Sequence, residues 1–180
     1  LVTELLGNDY LLSSFTSNIA GKGGVQMALH QDQSMVPMPH PPFPLVANVL
    51  YMLDDFCQEN GGTVVVPGSH LLSENERYSY QQADTPPLVS ATAPAGTALI
   101  FDGRLFHGTG SNHTADRRHA VLTYYCRGFI RQQENASLSI SPETFAAASP
   151  KLKKMLGYTV FRSLGMVEGG WHIDLDAKLP

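Results

Sequence analysis

Val25-Gln26-Met27-Ala28-Leu29-His30 reads as a strand and not a helix, and it leads into His30-Gln31-Asp32, a histidine and an aspartate two positions apart. In a strand, residues i and i+2 point to one face, so His30 and Asp32 can reach a common metal while Gln31 turns away. Gln26 and Ala28 share that parity. His107 stands 77 positions after His30, in a stretch expected to be a turn, and is followed by Arg117-Arg118. Two imidazoles and one carboxylate are the ligand set that holds non-haem Fe(II) and leaves coordination positions open. A His-x-Asp tripeptide alone occurs by chance in many proteins. Joined to a distant His and a nearby Arg, it is far more specific.

Outward from that stretch the chain is strand-rich. Residues 10–19 form an expected first strand, closed by Gly21, Gly23 and Gly24. The proline-dense run 37–44 cannot sit in a sheet, because proline removes ladder donors, and is expected over the mouth of a site. Residues 45–53 and 63–66 are apolar strands, separated by Asp54-Asp55 and the turn signal Glu59-Asn60-Gly61-Gly62. Pro67-Gly68-Ser69-His70 ends the second of them, and 71–88 reads as a loop or short helix. Strands at 89–92, 97–101 and 119–129 complete a set at turn-punctuated spacing, which suggests a sandwich or barrel. Residues 142–156 are helix-like, with Ser141 as N-cap, Pro142 at the first helical position, and a break or kink at Pro150.

The 180 residues suffice for one domain with a sizeable core. Hydrophobic residues make up 43% and charged residues 16%, a balance that suits a compact β-rich enzyme. Twelve basic and sixteen acidic residues give a net charge of −4 with no basic stripe, so nothing argues for a nucleic-acid partner. No apolar run is long enough to span a bilayer. Cys57 and Cys126 read as reduced thiols of a cytoplasmic protein. Residues 1–7 look like the last turns of a helix ending at a glycine cap, so a longer natural N-terminus is expected.

An iron bound by His30, Asp32 and His107 keeps three octahedral positions: two for a bidentate 2-oxo acid and one for O2. The far end of the oxo acid then requires a cation. Arg118 lies eleven residues after His107, and its planar guanidinium can hold a carboxylate bidentately. Thr109 can add a hydroxyl donor to the same carboxylate, and Gln26 should face the site by parity. Asn48 is a weaker candidate, because its parity has no anchor.

The runs His30-Gln31-Asp32, Glu59-Asn60-Gly61-Gly62-Thr63, Pro67-Gly68-Ser69-His70, Pro94-Ala95-Gly96-Thr97-Ala98-Leu99-Ile100-Phe101-Asp102 and His107-Gly108-Thr109-Gly110, in this order, resemble the phytanoyl-CoA dioxygenase family. The resemblance covers roughly residues 1–167. It implies a mostly β, double-stranded β-helix (jelly-roll, cupin-like) core with flanking helices. A single oxygenase domain over 1–180, truncated at its N-terminus, is expected, with 141–180 as its C-terminal helical extension, although 169–180 match nothing in the family. His30, Asp32 and His107 become the Fe(II) ligands. Arg118, preceded by Asn112-His113-Thr114, becomes the anchor of the 2-oxoglutarate C5 carboxylate, which Thr109 shares. The implied reaction hydroxylates a C–H bond of a small molecule and converts 2-oxoglutarate and O2 to succinate and CO2. Halogenating relatives replace the carboxylate with a small residue, so Asp32 favours oxygen transfer.

Other readings compete. The same iron site can end in desaturation or ring closure, which substrate placement decides. A catalytically silent metal-binding jelly-roll module is a third reading, against which Arg118 argues, since a pure binding fold needs no oxo-acid anchor. The clustered His-x-His pattern of simple cupins is absent. His70 reads as structural, His40, His113, His119 and His172 as non-ligands, and Asp54 and Asp55 as turn residues. No stretch reads as a site for the phosphates of coenzyme A. Oligomeric state has no signature in the sequence.

Overall fold

A computed structural model of the chain describes residues 1–73, 75–77 and 87–170. Helix α1 (Val2–Leu6) leads into β1 (Tyr10–Ala20), β2 (Val46–Met52), β3 (Thr63–Val65), β4 (Val89–Ser90), β5 (Ala98–Asp102), β6 (His107–Thr109) and β7 (Arg118–Arg127). Short helices α2 (Ala136–Ser139), α3 (Pro142–Ala147) and α4 (Pro150–Met155) follow. The strands form a four-stranded antiparallel sheet in the order β1-β7-β2-β5 and a three-stranded one in the order β4-β3-β6.

Strand β2 shows why the larger sheet holds. It is apolar at nearly every position because both of its faces are covered. Ala47 and Val49 pack with Leu6 of α1 and with Tyr125 on the outer face. Leu50 and Met52 pack with Phe56 and Ala120 on the inner face. The free edge of β1 is partly capped by the segment after β7: Gln133 N donates to Ser13 Oγ, and Glu134 N to the Ser13 carbonyl.

Three expectations need correction. Residues 25–29 are not a strand: His30 alone makes a bridge, exchanging both main-chain hydrogen bonds with His107 at 3.0 Å. Val25 is 86% exposed, so the segment has no buried face to stabilise a regular strand. Asp32 instead opens a short 3-10 helix, Asp32–Met35. Conversely, His107–Thr109 is a strand and not a turn, paired along β3. Gly108 permits this, because a Cβ there would lie 2.9 Å from the Met27 carbonyl oxygen.

The proline run 37–44 forms no strand and contributes no residue to the cleft described below. Arg104 Nη1 and Arg127 Nε hold it by the carbonyls of Pro41 and Pro44. The helical run after Ser141 is split, as Pro150 requires, into α3 and α4. Ser141 Oγ accepts from Thr144 N, and Ser149 Oγ repeats the cap on Leu152 N. The expectations for 71–88 and 141–180 lie partly outside the described residues.

Candidate metal centre

The cleft between the two sheets has a volume of about 160 Å³. His30, Asp32 and His107 line it together with Asn18, Asn48, Thr63 and Thr109, against apolar walls that include Met27, Leu50, Phe101 and Leu122. Strand β6 carries His107, and the bridge beside it carries His30. Gln31 keeps an extended conformation (φ −120°, ψ 134°), so the two-residue alternation still brings Asp32 back to the side of His30 without a continuous strand.

His30 Nε2 lies 3.6 Å from Asp32 Oδ1, and His107 Nε2 lies 3.4 Å from Asp32 Oδ2. Among the described residues, one ligand atom from each of the three falls within 4.8 Å of the others. Both imidazoles are oriented in the same way. His30 Nδ1 donates to the Ala28 carbonyl at 3.1 Å and His107 Nδ1 to that of Leu105 at 3.0 Å. A carbonyl only accepts, so Nδ1 carries a proton and Nε2 is the nitrogen each ring turns to the centre, the one that gives its lone pair when a metal binds. Burial pushes the Asp32 carboxyl up, but hydrogen bonding and charge from His107, then His30 and Asn48, outweigh it and hold it below its ordinary value. The group is an anion ready to bind a cation.

Arg118 belongs to the β7 row Arg118-Ala120-Leu122-Tyr124, which faces the cleft through Leu122. Its side chain is 1% exposed, with the guanidinium stacked 4.4 Å above the Phe56 ring. Nη2 donates to the Gly61 carbonyl at 2.8 Å, while Nε and Nη1 are buried with no partner among the described residues. Gly61 turns that carbonyl inward from a left-handed conformation (φ 82°). Burial lowers the guanidinium from its ordinary value, opposed by the charge of Asp54. A buried cation with unpartnered donors costs stability, and an anionic carboxylate beside it would offset that cost. These donors and the convergent His-Asp-His atoms fit a divalent iron and a dicarboxylate.

The remaining candidates divide. Thr109 lines the cleft and its hydroxyl lies 3.5 Å from Asn18 Oδ1. Gln26 does not: it is exposed and lines a separate cleft with Glu59, Ser90 and His113. The parity that placed it belonged to a strand that does not form. Asn48 does reach the centre, donating to Asp32 Oδ2 at 2.7 Å. Asn18, Thr63, Phe56 and Tyr124 were not anticipated; for Tyr124 the period-two row from Arg118 was the available signal. Asn112 is fully buried and holds the loop before Arg118 through the carbonyls of Ala20 and Asp116. Asp54 and Asp55 are turn residues, accepting from His119 and from Ala95 N. Cys57 and Cys126 are free thiols, and among the described residues no helix is long and apolar enough to cross a membrane.

The fold is mostly β and of the double-stranded β-helix type. The model of the phytanoyl-CoA dioxygenase family matches residues 2–120, and the chain belongs to that family. Dioxygenase af480 of Aspergillus fumigatus is 39% identical over 167 residues, covering 89% of this chain and 53% of that protein. Dioxygenase FUM3 of Gibberella moniliformis is 29% identical, covering 83% of this chain and 49% of that one. The chain thus spans about half the length of the curated relatives it matches. The structure of EctD from S. alaskensis with 2-oxoglutarate and 5-hydroxyectoine superposes with a TM-score of 0.58 at 24% identity, over 72% of this chain and 49% of that one, a likeness of fold. The nickel complex of the non-heme monooxygenase ThoJ gives 0.57 at 25% identity, over 74% of this chain and 51% of that one.

Proposed function

We propose that this chain is an Fe(II)- and 2-oxoglutarate-dependent dioxygenase that hydroxylates a C–H bond of a small organic molecule, releasing succinate and CO2. The observation that carries this reading is the pairing of the His30-Asp32-His107 cluster with the unpartnered donors of Arg118. A metal-binding module without turnover has no use for the second feature. Bound Fe(II) supplies activation of O2 coupled to decarboxylation of the oxo acid.

The chain's own residues do the rest. His30 and His107 give neutral Nε2 lone pairs, and Asp32 gives the carboxylate. The Arg118 guanidinium takes the distal carboxylate of 2-oxoglutarate, with the Thr109 hydroxyl as a further donor. Leu50, Phe101 and Leu122 exclude water around the oxo acid. The His30 face, 41% exposed, and Met27 beside it leave the substrate's side open. Among the described residues, no Lys or Arg lines the cleft, which fits a substrate without a polyphosphate group.

Succinate formation from 2-oxoglutarate under air, with and without added Fe(II), tests this. Fe(II)-dependent succinate that falls to background in Asp32→Ala is expected. A folded, iron-loaded parent that forms none contradicts the reading.

A further inference from the structure

Asn48 on β2 and Tyr124 on β7 are direct cross-strand partners, so their side chains rise together from one face of the larger sheet. Both hydrogen-bond to a single residue. The Asn48 amide donates to Asp32 Oδ2 at 2.7 Å. Tyr124 Oη donates to the main-chain carbonyl of Asp32 at 2.9 Å. Asp32 lies on no strand and heads a four-residue 3-10 helix, so no ladder fixes it from either side.

We propose that Asn48 and Tyr124 are a two-point clamp that sets the pose of Asp32 for the metal, a positioning role that rests on the function proposed above. The two grips have different tasks. Tyr124 fixes where the main chain of residue 32 sits relative to β7. With the carbonyl alone held, the carboxylate would still rotate about its two side-chain torsions. The Asn48 amide stops that rotation with Oδ1 turned to His30 and Oδ2 to His107. An amide suits the task because it is neutral: it orders the carboxylate without cancelling the charge that a cation needs.

Hydrogen-bond partners of metal ligands typically change metal affinity by about 10–100-fold when removed. Anaerobic titration of Co(II) into the full chain, followed by its visible d–d absorption, tests the clamp on the parent, Asn48→Leu and Tyr124→Phe. Melting of each metal-free protein checks folding. Co(II) affinity lower by about 10–100-fold in each variant, with an altered band shape in Asn48→Leu, is the expected result. Tyr124→Phe removes one oxygen and keeps the ring, so it serves if Asn48→Leu does not fold. Affinity and spectrum equal to the parent's in both variants would overturn the clamp alone, even if the metal-free proteins melt lower. A parent that takes up no Co(II) would overturn the functional reading and the clamp with it.

Discussion

At the scale of single residues, the centre depends on donors already committed and donors left over. Each histidine spends Nδ1–H on a carbonyl two residues back, which settles the tautomer before any metal arrives. Arg118 shows the opposite state, with two buried donors unspent. Arg118→Met keeps the packing on Phe56 and removes the fork. Losing one partner of a buried charge pair costs about 2–5 kcal/mol, so affinity for 2-oxoglutarate should fall at least ~30-fold by calorimetry, with metal affinity little changed. The ligand residues were legible because their side-chain chemistry is rare in that spacing. Asn48 was only a weak candidate, because its amide reaches Asp32 through the register of β2 on β7, which the sequence does not anchor. Phe56 left no signal, since a ring under a guanidinium comes from tertiary packing alone.

At the scale of elements, strands buried on both faces were legible and thin ones were not. Strand β2 announces itself as an apolar run, and β7 as a long alternating one. Strand β6 has three residues with a glycine at its centre, too short for any period to register. Residues 25–29 look like a strand but have no buried face. They lie against Gly108 because that residue has no side chain. Gly108→Ala should therefore push this segment off β6 and displace His30. Overpacking of this kind costs about 1–3 kcal/mol in denaturant unfolding, and metal binding should weaken alongside it. A variant equal to the parent in both would show that the contact does not position His30.

At the scale of the whole molecule, the metal-free protein carries a standing cost: a carboxylate in the cleft between the two sheets, and a buried guanidinium over Phe56 whose Nε and Nη1 have no partner among the described residues. Ligands that bind only the folded state recover it by mass action. At 100 times its dissociation constant, a ligand adds about 2.7 kcal/mol, or roughly 5–10 °C in Tm for a domain of this size. Redox-inert Mn(II) with 2-oxoglutarate should produce that shift in a thermal melt. Arg118→Met should lose the part due to 2-oxoglutarate and retain the part due to Mn(II). A shift identical in parent and variant would place the oxo acid elsewhere.

The most direct measurement is anaerobic titration of Fe(II) and 2-oxoglutarate into the protein, following the weak visible charge-transfer band that only the iron-bound oxo acid produces. The band should appear in the parent, vanish in His107→Ala and require far more 2-oxoglutarate in Arg118→Met. A folded parent that shows no band, or a band that survives in His107→Ala, would contradict a metal centre built from His30, Asp32 and His107.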